Sequence, residues 1–262
     1  MTGFIGGGNM AEALIRGMTA GGMKDIIVSE PREERRRYLN SSYGVKTTGS
    51  NSEAAEVSDI IVLAVKPQNM DDVLAEIGHL ITDAKTLVSI AAGITLSYLK
   101  SKVKTDRIVR VMPNTPALVG EGMSVISLCE CFSGKEIDTV RQMLMSVGRV
   151  LTLPEKLMNA VTAVSGSGPA FVALFAEAMI DAGRRLGLGA EDAQTLAVQT
   201  LVGTAKLLDT GMQPEALRKM VTSPGGTTAE GLRVFEERDF RAIVSSALDA
   251  ACKRADELGR RA

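Results

Sequence analysis

The feature that most restricts what this chain can fold into is its opening stretch, Met1-Thr-Gly-Phe-Ile-Gly-Gly-Gly-Asn-Met-Ala-Glu-Ala-Leu14. A short apolar run stops at Gly6-Gly7-Gly8, and helical character begins at about Asn9. Strand, glycine turn and helix in that order open a βαβ unit, and Gly6-x-Gly8-x-x-Ala11 fits the dinucleotide fingerprint with alanine in its third slot. Each position has a physical task. Gly6 turns the chain tightly out of the strand, Gly8 lets a pyrophosphate approach the backbone, and Ala11 lets the helix lie close to the strand. The unpaired N–H groups of the first helical turn, with the positive end of the helix dipole, then face the phosphates.

The 262 residues suffice for one large or two medium domains. Apolar residues are 45% of the chain, but aromatics are only 3% and tryptophan is absent, so small residues and methionine must fill the cores. With few aromatic platforms, no basic block and a net charge of -1, no nucleic-acid partner is expected. No membrane span is expected either, on the reading that no segment approaches about 18 uncharged apolar residues. A strand at the very start leaves no room for a signal peptide. Cys129, Cys131 and Cys252 suit a reducing compartment, so a cytoplasmic protein is expected. Cys129-x-Cys131 lacks a second ligand pair and reads as packing; His79, the single histidine, closes an amphipathic helix at 71–79 and reads as surface. No metal site is expected.

Taken in order, Ile26-Ile-Val28 reads as the second strand, followed by Ser29-Glu30-Pro31-Arg32 and a charged helix whose Arg35-Arg36-Arg37 read as a solvated face. Glu30 lies 22 residues after Gly8, where an acidic side chain bonds the ribose hydroxyls of NADH. Arg32 suits the 2′-phosphate of NADPH instead, so the two residues point both ways. Val45 starts a third strand, and Ser50-Asn51-Ser52-Glu53 looks like a helix cap. Residues 59–65 form a buried parallel strand, and Pro67 is placed to open the next helix. Ligands of open α/β sheets gather outside the carboxyl ends of the strands, which puts Ala64, Val65, Lys66 and Pro67 beside a nicotinamide. The small side chains of Ala91 and Ala92, after a strand at 86–90, leave room for a ligand. Strands at 107–112, 122–128 and 150–153, with a helix from about Ser133, complete a Rossmann-type domain over residues 1–153.

From residue 154 to 262 the strand patterns stop. Helices read as 155–164, 169–186, 190–210, 213–221, 227–237 and 240–259. The helix from Pro169 is apolar nearly all round, with Phe171, Leu174, Phe175, Ala178, Met179 and Ala182, and a helix of that kind requires burial. A small helical domain cannot enclose it together with the apolar 196–208 stretch, so a symmetric partner subunit is expected to cover it.

Ser223-Pro224-Gly225-Gly226-Thr227-Thr228 joins two of these helices and presents free N–H groups at a helix start, a second anion site of a size for a carboxylate. Thr227 or Thr228 is expected to cap the helix while still offering a hydroxyl. Ser165-Gly166-Ser167-Gly168-Pro169 reads as a third such start. Absent groups narrow the chemistry. Reducing a carbonyl makes an alkoxide and wants a proton donor such as His or Lys. The one histidine is badly placed, and after the Ser165 turn no lysine occurs until Lys206. Reducing a protonated imine neutralises a cation and needs no strong acid at that step. The residue set therefore favours C=N over C=O reduction.

Along nearly its whole length the chain resembles pyrroline-5-carboxylate reductases. The resemblance rests on Gly3-Phe-Ile-Gly-Gly-Gly-Asn-Met-Ala11, Ala64-Val-Lys-Pro67, Val111-Met-Pro-Asn-Thr-Pro116, Ser165-Gly-Ser-Gly-Pro169 and, most specifically, Ser223-Pro-Gly-Gly-Thr-Thr228. It implies an α/β protein with an N-terminal Rossmann-type domain and an all-α substrate-binding and dimerisation domain. It implies reduction of 1-pyrroline-5-carboxylate to L-proline with NADPH or NADH, in a homodimer or larger homo-oligomer. Position by position, Ile5, Gly6, Gly7, Gly8, Asn9, Met10, Asn51, Ala64, Val65, Lys66, Pro67, Ala91 and Ala92 are implied to contact the cofactor, joined by Glu30 and Arg32 from the spacing above. Ser223, Gly225, Gly226, Thr227 and Thr228 are implied to cradle the substrate carboxylate, with Thr228 the catalytic candidate beside the ring nitrogen. Two other readings remain open at this point: a β-hydroxyacid dehydrogenase-like reductase, although Glu177 and Asp181 stand where its lysine and asparagine belong, and a nucleotide-binding protein without turnover.

Overall fold

A computed structural model describes residues 1–128, 132 and 135–259. Cys129, Cys131 and Ser133, the expected start of a helix, lie outside the described residues. The chain forms two compact units, Met1–Ser167 with Ala250–Ala262, and Gly168–Asp249.

The first unit alternates strands and helices: β1 (Thr2–Ile5), α1 (Asn9–Ala20), β2 (Ile26–Ser29), α2 (Glu33–Tyr43), β3 (Lys46–Thr48), α3 (Asn51–Glu56), β4 (Ile60–Leu63), α4 (Met70–Ile77), β5 (Thr86–Ser89), α5 (Leu96–Lys102), β6 (Ile108–Met112), β7 (Gly122–Leu128), α6 (Lys135–Met145) and β8 (Gly148–Thr152). The sheet order is β3-β2-β1-β4-β5-β6-β7-β8. All neighbours pair in parallel except β6 and β7, which run antiparallel because only a short 3-10 turn and left-handed Gly120 connect them. The central strands β1, β2, β4 and β5 are short and buried along their whole length, as parallel strands covered on both sides by helices must be, whereas the edge strands β3 and β8 are partly exposed. Alternate residues feed two cores. Phe4, Val28, Val62 and Val88 pack with Leu14, Ile15 and Leu144 on one face. Ile5, Ile27, Ile61 and Leu87 pack with Leu74, Ile77 and Leu99 on the other. The exposed His79 follows α4 in a 3-10 turn, in accord with the surface reading.

Beyond the sheet the first unit continues through a 3-10 turn at Glu155–Leu157, α7 (Met158–Val161) and a π-helical turn at Thr162–Gly166. This corrects the expectation of an open helix start at Ser165–Pro169. The backbone instead passes through the π turn, closed by Ser167 N–H donating to Thr162 O at 2.8 Å. The end of the chain returns to this unit, and Asn159 donates to Asp256.

The second unit holds α8 (Gly168–Arg185), α9 (Ala190–Asp209), α10 (Pro214–Met220), α11 (Thr227–Glu237) and the first half of α12 (Phe240–Gly259). Gly183 lets α8 and α9 approach, since a Cβ there would lie 3.3 Å from that of Ala193. Phe240 contacts Phe235 and Phe175, with ring centroids 5.1 and 6.5 Å away. Yet α8 has no buried residue, and Val172 and Leu174 are 56% and 65% exposed. A single chain leaves this apolar helix uncovered, as its composition requires of a surface made to meet another copy.

The expectation that nothing here is long and apolar enough for a membrane span is overturned. The helical run Glu155–Arg185 contains an 18-residue window of mean hydropathy 1.4, and residues 157–176 carry no charge. Ser, Thr, Gly and Asn punctuate the run and disguise it, because Ala, Val, Leu and Phe carry the hydropathy between them.

Candidate functional site

The glycine turn between β1 and α1 has two glycines whose needs differ. Gly6 has φ +100°, and a Cβ there would lie 2.8 Å from Ala64 O, so both conformation and packing demand glycine. Gly8 has φ -70° and ψ -177°, ordinary extended backbone, and a Cβ there would meet nothing within 4 Å. Nothing inside the protein requires glycine at position 8. What its missing side chain leaves is open space above the start of α1, where Gly8 is the N-cap and no side chain caps the helix. The first intrahelical bond is Glu12 N–H to Gly8 O at 2.9 Å, so the N–H groups of Asn9, Met10 and Ala11 have no partner within the helix. Open space beside free amides is an arrangement suited to a pyrophosphate, and the residues present fit a dinucleotide.

This space opens into a cleft of about 710 Å³ that brings together Gly6, Gly7, Gly8, Glu30, Arg32, Asn51, Ala64, Val65 and Lys66. Other expected cofactor residues sit elsewhere. Ile5 is fully buried in the strand end, and Asn9 and Met10 lie on the first turn of α1. Pro67 opens the 3-10 turn before α4. Ala91 is buried and Ala92 half-buried, just past the carboxyl end of β5.

The far wall of the cleft is one face of the segment entering α4: Asn69, Asp72, Val73 and Glu76. None of these was expected from sequence, although their spacing of three and four residues is the signature of a single helical face. Glu76 accepts from Asn51 Nδ2 at 2.7 Å, and Asn51 Oδ1 accepts from Ser29 Oγ at 2.7 Å, which fixes the amide across the cleft.

Glu30 is 5% exposed. Its Oε2 accepts from Gly7 N–H at 3.1 Å, and its Oε1 accepts from Arg32 N–H and Arg32 Nε at 3.2 and 2.8 Å. Burial pushes this carboxyl up, but the bonds from Arg32 and Gly7 outweigh burial and hold it below the usual glutamate range. It is therefore an anion at neutral pH, locked to the glycine turn at the end of β2. Arg36 braces the same corner by donating to Glu30 O and Pro31 O, and Arg35 Nε donates to Gly7 O at 2.7 Å. Those arginines read from sequence as a solvated face.

In the second unit, Gly225 takes the left-handed conformation at φ +68°, and a Cβ on Gly226 would lie 2.4 Å from Ser223 Oγ. Gly226 N–H closes the turn on Ser223 O at 3.0 Å. The expectation that Thr227 or Thr228 caps α11 is corrected: Gly226 is the N-cap, and the two threonines are the first helical residues. The first helical bond is Glu230 N–H to Gly226 O, so the amides of Thr227, Thr228 and Ala229 have no intrahelical partner. Neither threonine hydroxyl serves as the cap. The turn thus offers amides and hydroxyls together, a set suited to a carboxylate. Among the described residues no group of three or more His, Cys, Asp or Glu side chains is placed to hold a metal ion.

Comparison with known proteins finds matches for both parts of the chain. The family model for pyrroline-5-carboxylate reductase dimerisation matches residues 155–258. The model described as NADP oxidoreductase coenzyme F420-dependent matches residues 1–93. A pyrroline-5-carboxylate reductase of Synechocystis sp. is 43% identical over 99% of this chain and 98% of its own length. The solved pyrroline-5-carboxylate reductase of Coxiella burnetii superposes with a TM-score of 0.91 at 35% identity, covering 98% of this chain and 97% of that one. The Plasmodium falciparum pyrroline carboxylate reductase, solved with NADP bound, gives 0.88 at 35% identity with the same coverage. Likeness to pyrroline-5-carboxylate reductases runs along the whole chain, through the glycine turn at its start and the Ser223–Thr228 turn near its end, and the protein belongs to the pyrroline-5-carboxylate reductase family.

Proposed function

We propose that this chain reduces 1-pyrroline-5-carboxylate to L-proline with NADPH, and also with NADH, as a homodimer or larger homo-oligomer in the cytoplasm. The observation that carries the reading is the Ser223–Thr228 turn, whose amides and threonine hydroxyls are left over once Gly226 has capped α11. When bound, the nicotinamide supplies a hydride to the C=N carbon. The residues of the chain do the rest. Gly8 and the first turn of α1 receive the pyrophosphate; Ala64 to Pro67 and Ala91-Ala92, at the carboxyl ends of β4 and β5, bound the space for the nicotinamide. Ser223, Gly225, Gly226 and Thr227 hold the substrate carboxylate, and the Thr228 hydroxyl bonds the ring nitrogen. The nitrogen enters as an iminium, so the incoming hydride cancels its charge and leaves a neutral secondary amine. That amine then takes a proton from solvent. No buried acid is needed, which fits the lack of a histidine or lysine at the turn.

Incubation with pyrroline-5-carboxylate and either cofactor is expected to bleach the reduced nicotinamide absorbance. Oxidation of neither would overturn the proposal. Light scattering at micromolar concentration is expected to give at least twice the chain mass, because α8 has no cover within one chain; a monomer would contradict this.

Glu30 tunes which cofactor is used. Its locked carboxylate accepts from the ribose hydroxyls of NADH and repels the 2′-phosphate of NADPH, and Arg32 only partly offsets that repulsion. Glu30→Gln keeps the shape and removes the charge. It is expected to raise the ratio of kcat/KM for NADPH over NADH by about tenfold. An unchanged ratio would remove Glu30 from the choice.

A further inference from the structure

Asn114 follows β6 at the carboxyl edge of the sheet, and both ends of its amide are engaged. Oδ1 accepts from Met123 N–H at 2.8 Å, and Nδ2 donates to both Ser165 O and Ser165 Oγ at 3.2 Å. The reason for the second contact lies in the sequence. A helical carbonyl at 165 would bond the N–H of residue 169, and residue 169 is proline, which has none. The carbonyl is left over at the end of the π turn, and Asn114 supplies the missing donor. Gly166 is pressed to the same strand end, since a Cβ there would lie 2.4 Å from Met112 Cε. An asparagine that also ties β7 thus clamps an isolated π-helical turn, a feature frequent at functional sites. The clamp fixes the half-buried Ser165 hydroxyl. Because Ser165 Oγ accepts from Asn114, its own proton is free to donate elsewhere.

The clamp stands at the end of β6, in the half of the sheet where a dinucleotide fingerprint at β1 places the nicotinamide. We infer that Asn114 is a positioning residue that aims the Ser165 hydroxyl at the carboxamide of the bound nicotinamide. The carboxamide oxygen is the acceptor for the proton that Ser165 has to give. This rests on the proposed binding of a nicotinamide dinucleotide at the Gly8 cradle. It does not depend on which substrate is reduced.

The test compares binding of NADPH with that of 2′-phospho-ADP-ribose, which keeps the phosphates and lacks the nicotinamide; NADH and ADP-ribose form the parallel pair. Ser165→Ala and Asn114→Asp are each expected to weaken the reduced cofactor roughly three- to tenfold and to leave the fragment unchanged. Asn114→Asp keeps the acceptor for Met123 N–H and removes the donor to Ser165. The double variant is expected to be no weaker than the worse single one, because both changes remove the same bond. Ser165→Thr, which restores a hydroxyl, is expected to recover the affinity. Normal NADPH binding by Ser165→Ala, or an equal loss for the fragment, would overturn the inference. If Asn114→Asp does not fold, Ser165→Ala and Ser165→Thr decide it between them. Loss of turnover with pyrroline-5-carboxylate would not enter these readings, so a wrong substrate and a wrong positioning role are told apart.

Discussion

Gly8→Val is expected to raise the dissociation constant for NADPH and NADH by at least about a hundredfold while the protein keeps its fold and its melting temperature within a few degrees. The two halves of that expectation come from one geometry. Position 8 is extended, at φ -70°, a conformation valine adopts freely, and a Cβ there touches no protein atom within 4 Å. The fold has no use for a glycine at this point. Valine at an N-cap in place of glycine costs about 1 kcal/mol or less. The volume it adds falls over the unpaired amides of Asn9, Met10 and Ala11, where the pyrophosphate approaches the backbone. Gly6→Ala makes the contrast. At φ +100°, with a Cβ 2.8 Å from Ala64 O, it strains the turn and lowers stability along with affinity. A glycine kept for turn geometry and one kept for a ligand are thereby separated by a melting curve and a fluorescence titration. Normal affinity in Gly8→Val would mean that the phosphates lie elsewhere.

The strands and most helices were legible because their signals are local. The Ile60–Leu63 run is apolar at every position, and alternate residues enter opposite cores, which a strand buried on both faces requires. Ser50 caps α3 through the Glu53 N–H as its sequence indicated. What escaped depends on partners far along the chain or on choices among adjacent residues. The π turn is secured by Asn114, 51 positions before Ser165, so a segment of Ser and Gly read alone as an open helix start. Arg35 and Arg36 read as solvated because their acceptors are backbone carbonyls at Gly7, Glu30 and Pro31, which no charge pattern records. The cap of α11 lies one or two residues before the expected threonines, at Gly226, where a Cβ would lie 2.4 Å from Ser223 Oγ and no side chain caps the helix. The apolar face of α8 was legible as a demand for burial, and the single chain leaves that demand unmet.

The shift of the cap to Gly226 sharpens the remaining prediction. If a threonine hydroxyl capped α11, replacing it would cost about 1 kcal/mol of helix stability, and any loss of activity would be ambiguous. Thr228 instead sits one residue inside the helix, half-buried, behind a glycine cap. Thr228→Ala is therefore expected to melt like the parent protein and bind cofactor normally, because the dinucleotide cradle belongs to the first unit. Its kcat with pyrroline-5-carboxylate is expected to fall some tens-fold, about 2 kcal/mol at roughly 1.4 kcal/mol per tenfold. In the proposed mechanism the hydroxyl acts as the nitrogen passes from iminium to amine. In the iminium the N–H donates and the threonine oxygen accepts; in the nascent amine the lone pair accepts and the hydroxyl donates. A group that does both follows the change of charge without a proton leaving the protein. Thr228→Ser keeps that capacity and is expected to retain most of the rate, whereas Thr228→Val, of nearly the same shape but without the hydroxyl, is expected to match alanine. Equal turnover in the valine and serine variants would show that Thr228 contributes only its shape, and the proton on nitrogen would then have to be managed by the turn amides and water alone.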